Sequence, residues 1–309
     1  MPAAASAARE AAAIIARPLR SLREREEAVR LYRQVFGLAA DDPAMTPKLL
    51  TALQRNGGSA LGAFDPAGRM VGFTYGFVGT EAGATYHYSQ AAVVDAGVQG
   101  QGVGRILKRA QATDALRDGI ATMRWAYDPM LARNAHFNLD VLGAVGRWFV
   151  RDYYDLTDAG GRSDRVVVEW RTGGISEGIS DADGAEPVAE RPFATEDVAH
   201  LVGGTEWGEA RPVGQTRLLP IPAAWTDLSR TDSARASAVR DRVAAEIESA
   251  LADGMVLTSC RRISPDTAVY QLTPAGRPTP AEQPTPVEPT PAEQPTLARA
   301  SAPADGQVR

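Results

Sequence analysis

The chain has 309 residues, is 44% hydrophobic and carries a formal net charge of −5. That length and apolar content suit one large or two ordinary globular domains, and the acidic balance disfavours nonspecific attraction to nucleic acid or to an anionic membrane. A single cysteine, Cys260, excludes an internal disulfide and a cysteine-built zinc site, and the three histidines (His87, His136, His200) are too widely spaced for a metal motif.

In chain order, residues 1–10 read as a disordered lead. Their short apolar run is broken by acid, unlike a signal peptide, and no stretch reaches the roughly 18–20 apolar residues of a membrane helix. The expectation is a soluble cytoplasmic protein. A strand is expected within 11–19, then a helix capped by Ser21 and ended by Gly37, then a second helix opened by Thr46-Pro47. Strands follow at 59–65 and 70–80, joined by the turn sequence DPAGR, and a third at 84–95. A helix to about residue 117 precedes a strand at 120–127, a helix at 128–143 and strands at 144–154 and 164–170. Residues 173–190 are glycine-rich and acidic, as in a linker. Residues 191–273 regain pattern as a smaller α+β unit: a strand at 216–222, a long helix at 234–253 and a closing strand pair. In 274–309 the octapeptide PTPAEQPT occurs twice, which predicts an extended, solvated tail.

The most informative stretch is QGQGVGRILK, residues 99–108. Three glycines in five residues stand at the mouth of a helix. There, free N–H groups and the helix dipole favour an anion. A nucleotide-binding loop of the form G-x-x-x-x-G-K-[ST] is excluded because Arg105-Ile106 follow Gly104, and the G-x-G-x-x-G dinucleotide spacing is not met. The pattern Q/R-x-x-G-x-G/A is matched in full by Gln99, Gly100, Gln101, Gly102, Val103 and Gly104. Arg105 and Lys108 lie close enough to add charge for a phosphate.

With this loop, AAVVDAGVQGQGVGRILKRA resembles the strand–loop–helix of the GNAT superfamily of acyl-CoA-dependent N-acyltransferases. The element order over residues 12–172 is also the GNAT order. WAYDPMLARNAHFNLDVLGAV, RDYY and DRVVVEW resemble a less studied branch with an extra C-terminal region, corresponding to 214–273. The resemblance implies an α/β fold with a mixed, mostly antiparallel central sheet flanked by helices, and acetyl-CoA or another acyl-CoA as co-substrate without a metal. It also implies that the strand before the loop splays at Val93–Val94 to meet pantetheine. The implied reaction is direct acyl transfer, in a ternary complex, to a primary amine of a small molecule such as an amino acid.

Acyl transfer needs the ammonium deprotonated, the oxyanion stabilised and the leaving thiolate protonated. Candidate bases are His87 and Glu81, or a water chain. The resemblance places Leu139 where a tyrosine often protonates the sulfur. Asn134, Asn138 and His136 on the same helix, or Tyr153 and Tyr154, are the candidate substitutes. Asn134 and Asn138 are one helical turn apart and would share a face toward the pantetheine arm. Arg124, Arg147 and Arg151 are candidates for an acceptor carboxylate. Cys260, Trp207 and Trp225 read as packing residues, and His200 carries no functional sign. A homodimer is compatible with the second unit. Two further functions stay open: an acyl-CoA-binding sensor or scaffold without turnover, and a nucleotide-binding protein. Deleting 276–309 should leave the melting temperature and coenzyme affinity unchanged, as calorimetry of the truncated chain would read.

Overall fold

The computed structural model describes residues 14–39, 42, 44–155, 162–172 and 198–275. The expected lead, linker and proline-rich tail lie outside them, apart from residues 274 and 275 of the tail. Strand β1 (Ile15–Pro18) precedes helix α1 (Leu22–Phe36). Ser21 Oγ caps α1 by accepting from the Glu24 N–H at 3.2 Å, and Gly37 ends it with φ 64°. Helix α2 (Pro47–Arg55) is capped likewise by Thr46. Strands β2 (Ser59–Phe64), β3 (Met70–Glu81) and β4 (Ala84–Val94) form an antiparallel meander. The first turn is held by Asp65, whose carboxylate accepts from the N–H groups of Ala67 and Arg69.

Helix α3 (Val103–Arg117) leads to β5 (Thr122–Tyr127). The helix expected over 128–143 is a short α4 (Ala132–His136) that widens into a π-helical turn, Phe137–Val141. Strands β6 (Val145–Val150) and β7 (Arg165–Arg171) follow. β6 stops four residues before the expected end, and residues 151–154 form a turn instead. Asp152 there has φ 46° and accepts from Ser163. Then come β8 (Arg211–Val213), β9 (Thr216–Pro222), α5 (Trp225–Thr231), α6 (Ser233–Ala252), β10 (Met255–Arg262) and β11 (Thr267–Pro274).

All strands join one sheet, ordered β1-β2-β3-β4-β5-β7-β6-β10-β11-β9-β8. Every neighbouring pair is antiparallel except β4–β5. Helices α1 and α2 pack on one face through Ala28, Leu31, Leu50, Phe73 and Val93, while α3 covers the other through Val103 and Leu107. The architecture is therefore the mixed, mostly antiparallel sheet flanked by helices expected from sequence.

The C-terminal α+β elements form no detached sheet. They continue the first one at the rung Leu257↔Gly146. Glycine is required at 146, because a Cβ there would lie 2.9 Å from Leu257 Cβ. One apolar core runs through both parts, from Met123 and Trp125 to Leu219, Ile247, Leu257 and Tyr270. Polar links reinforce the join. Arg240 pairs with Asp128 at 3.1 Å, and Tyr270 Oη donates to Pro129 O at 2.8 Å. Asp140, on the π-turn and only 4% exposed, accepts from Ser259 Oγ (2.7 Å), the Cys260 N–H (2.9 Å) and Arg261 Nε (3.0 Å). Removing a buried carboxylate strands its donors. Asp140→Ala should cost about 3 kcal/mol in a urea denaturation series, whereas alanine at the exposed ion-pair residue Asp227 should cost under about 0.5 kcal/mol.

Candidate active site

The loop between β4 and α3 is built to leave donors free. Asp95 ties its start to the sheet: its N–H donates to Val71 O at 2.9 Å, and its Oδ1 accepts from the Gly97 N–H at 2.8 Å. Gly100 and Gly102 have φ 83° and 82°, a left-handed backbone that side chains disfavour. Gly102 is the N-cap of α3 and no side chain caps the helix, so the first-turn N–H groups point outward. A Cβ built on Gly100 or Gly102 meets no protein atom within 4 Å, which leaves room for an anionic group. Gly104 differs. It sits inside the helix, and a Cβ there would lie 3.2 Å from the Phe137 ring, so its small size serves packing against the π-turn. Gln99 bonds Val94 O and accepts from Arg133, Gln101 is exposed, Val103 is core, and Arg105 is half-buried.

Beside this loop the sheet opens. β4 and β5 share the rungs His87↔Met123 and Tyr88↔Arg124 and no others. From Ser89 onward β4 stays with β3, with a bulge opposite Tyr75/Gly76, and leaves β5. Gly76 permits the bulge, since a Cβ there would sit 2.3 Å from Tyr88 O and 2.6 Å from His87 Nε2. The parting therefore starts earlier than Val93–Val94, which pair with Phe73 and Gly72 near the end of the wedge. From Ser89 to Val94 the strand runs about 16 Å with one edge lacking a β5 partner, and it ends at the glycine loop.

Beneath the wedge, on the α3 face, lies a buried polar chain. Lys108 Nζ donates to Ser89 Oγ (2.7 Å) and stands 3.8 Å over the Trp125 ring. Ser89 Oγ donates to Gln111 Oε1 (2.7 Å), Gln111 Nε2 donates to Ser59 Oγ (2.8 Å), and Ser59 Oγ meets His87 Nε2 (2.9 Å). Burial lowers Lys108 to about 7. His87 is lowered to about 4, chiefly by burial and then by the nearby Lys108 charge. Lys108 thus does not reach toward a phosphate at the loop. It belongs to the buried stripe Val103, Leu107, Lys108, Gln111, Ala112, Ala115, and that i, i+4, i+8 spacing was the available sequence signal.

The candidate catalytic residues do not converge. Neighbouring residues of a strand face opposite sides. His87 points under α3, whereas Tyr86 and Tyr88 face the α1 side. Tyr88 Oη meets Tyr153 Oη at 2.9 Å, and Tyr154 packs on Tyr153 at 4.9 Å between ring centres. Burial raises the Tyr88 phenol, and the bond to Tyr153 raises it further. Glu81 is held by Arg124, which stacks on Tyr86 and also binds Glu169. Arg147 pairs with Glu169 and Arg151 with Glu248, so all three arginines expected to meet an acceptor carboxylate have protein partners. Asn134 and Asn138 do not share a face: Asn134 is exposed, while Asn138 is buried and accepts from Trp125 Nε1 at 3.0 Å. The π-turn changes the helical repeat between them. His136 bonds Asp140 and Cys260 O, and Leu139 is core.

No protein-family profile and no curated protein matches the chain. Among the solved structures similar to it are acetyltransferases. They include the ribosomal-protein-S18-alanine N-acetyltransferase from Escherichia coli, with 19% identity over 54% of this chain and 99% of that one and a TM-score of 0.42. A GNAT superfamily phosphinothricin acetyltransferase from Sinorhizobium meliloti, solved with AcCoA, has 12% identity over 51% and 88% and a TM-score of 0.42. An acetyltransferase of the GNAT family from Streptococcus pneumoniae has 15% identity over 52% and 99% and a TM-score of 0.43. Among the described residues no cluster of three metal-ligating side chains occurs, and no helix is long and apolar enough to cross a membrane.

Gly102→Val should lower stability by about 1 kcal/mol through its left-handed backbone alone, read by denaturation without ligand. A branched side chain would also fill the open cradle, so binding of an anionic ligand at the loop should weaken about tenfold or more. His87 is buried neutral while the unfolded chain protonates near 6.5. Its contribution to stability is complete above pH 6.5 and is lost as pH falls toward 4, on the order of 1–2 kcal/mol by pH 5. His87→Gln should remove that component from the acid limb of the stability–pH curve.

Proposed function

We propose that the chain is an acyl-CoA-dependent N-acyltransferase that moves an acetyl or other short acyl group to a primary amine of a small molecule. One observation carries this reading: the β4–β5 wedge runs straight into an uncapped helix N-terminus lined by Gly100 and Gly102. An extended pantetheine arm needs a strand edge with unpaired N–H and C=O groups, and a pyrophosphate needs converging N–H donors without side chains in the way. The residues present fit both halves of the coenzyme. The loop amides would hold the pyrophosphate, the free edge of 89–94 would hold the arm, and an N–H of that edge would stabilise the oxyanion.

The acceptor amine belongs on the face bearing Tyr88. The 151–154 turn narrows that mouth through the Tyr88–Tyr153 hydroxyl pair, which favours a small molecule over a folded protein surface. That turn brings the Tyr153 phenol to Tyr88, with Tyr154 packed on it, and Glu81 is held by Arg124. His87, sealed on the opposite side, tunes the buried chain instead of meeting the amine. Burial of Leu139 and the engagement of Asn138 and His136 favour a second reading, an acyl-CoA-binding sensor or scaffold, because no hydroxyl from that helix can protonate the sulfur.

Titration of the purified chain with acetyl-CoA, succinyl-CoA and ATP should give micromolar binding of an acyl-CoA and weak ATP binding. Thiol release with a panel of small amines would then separate turnover from sensing. Tighter binding of ATP than of either thioester would overturn the proposal.

A further inference from the structure

The wedge has an unusual floor. Ser89 is the first β4 residue beyond the last shared rung, and Trp125 is the first on β5. Both side chains turn toward α3, and Lys108 Nζ sits between them. Lys108 is 3% exposed. An ammonium has three N–H donors, and one of them is used, by Ser89 Oγ. Among the described residues no carboxylate pairs with it. A charge desolvated without a counter-ion is costly, and an apolar side chain of the same length would fill this site more cheaply. The surroundings fix the group's place. Trp125 is gripped at its edge by Asn138 and on its face by Lys108, and Ser89 is anchored through Gln111 and Ser59 to His87. Measured back along β4 from the glycine loop, this point lies at the far end of the roughly 16 Å free edge, where an extended pantetheine arm runs out.

Resting on the acyltransferase reading above, we infer that Lys108 is the proton donor to the leaving sulfur, in the role that Leu139 cannot fill. The acceptor nitrogen forms its bond to the thioester carbonyl carbon. The carbon–sulfur bond breaks with its electron pair passing to sulfur, and one proton passes from the Lys108 ammonium to that sulfur. The amine's own proton leaves to water, and Lys108 regains one from water as the thiol departs. A lysine lowered to about 7 by burial is matched to that exchange at neutral pH.

The test compares coenzyme A with desulfo-coenzyme A, which lacks the sulfur but keeps the arm and pyrophosphate, at pH 7. Wild-type protein should bind coenzyme A about tenfold more tightly than the desulfo compound. The preference should grow between pH 6 and pH 8, as Lys108 loses its proton and can accept the S–H hydrogen bond that the transferred proton leaves behind. In Lys108→Met the two affinities should become equal across that pH range, with desulfo-coenzyme A affinity unchanged within about twofold. Equal binding of the two compounds by wild-type protein, or a sulfur preference that survives in folded Lys108→Met, overturns the role of Lys108 and leaves the acyl-CoA reading standing. Failure of wild-type protein to bind either compound overturns both. Should Lys108→Met not fold, the wild-type pH dependence decides, and a sulfur preference that stays flat between pH 6 and pH 8 overturns the inference.

Discussion

The rest of the site depends on the brevity of one strand pairing. β4 and β5 are parallel neighbours for two rungs and then separate. A fully zipped pair would satisfy every backbone group and leave a closed surface. Two constraints hold the strands apart. The bulge opposite Gly76 redirects β4, and it is possible because Gly76 has no Cβ to meet Tyr88 O and the His87 ring. On β5, the large Trp125 ring is fixed from two sides by Asn138 and Lys108. The result is a strand edge with unmet hydrogen-bonding capacity leading to a helix start with unmet N–H groups. Backbone groups left in that state take their partners from water or from a ligand.

The C-terminal elements bear on this geometry, although they lie at the other end of the sheet. By pairing with β6 and receiving Asp140, they fix the π-turn that carries Asn138 and Leu139. That turn sets Asn138 against Trp125 and sends Leu139 into the core. It also presses Phe137 on Gly104 at the start of α3. A chain of packed contacts thus runs from β10 through the π-turn to both the wedge and the loop.

The buried polar chain under β4 is a balance of unfavourable and favourable terms. Six polar side chains, Ser59, Thr74, His87, Ser89, Lys108 and Gln111, are withdrawn from water, and hydrogen bonds among them offset much of the desolvation. Lys108 is the exception, with a single acceptor and an aromatic face for a positive charge. Its lowered pKa follows from that shortage.

The sequence by itself determined the local features. Ser21, Thr46 and Gly37 mark helix ends because capping is settled by nearest neighbours. Asp65 marks its turn for the same reason, and the spacing of Gly100 and Gly102 marks a loop that must adopt positive φ. The order of strands and helices through β7 was legible from hydrophobic period. Only the tertiary structure decided which way Lys108 points, that Arg124, Arg147 and Arg151 are occupied by Glu81, Glu169 and Glu248, that β7 lies between β5 and β6, and that β8 to β11 extend the first sheet. Each of these depends on partners from 15 to 111 residues away, or on a shared core. Asn134 and Asn138 show the boundary between the two: their spacing promised one face, and the π-turn anchored through Asp140 to β10 parted them. Local spacing fixes a side chain's direction only while the helical repeat holds, and here that repeat is set by contacts more than a hundred residues along the chain.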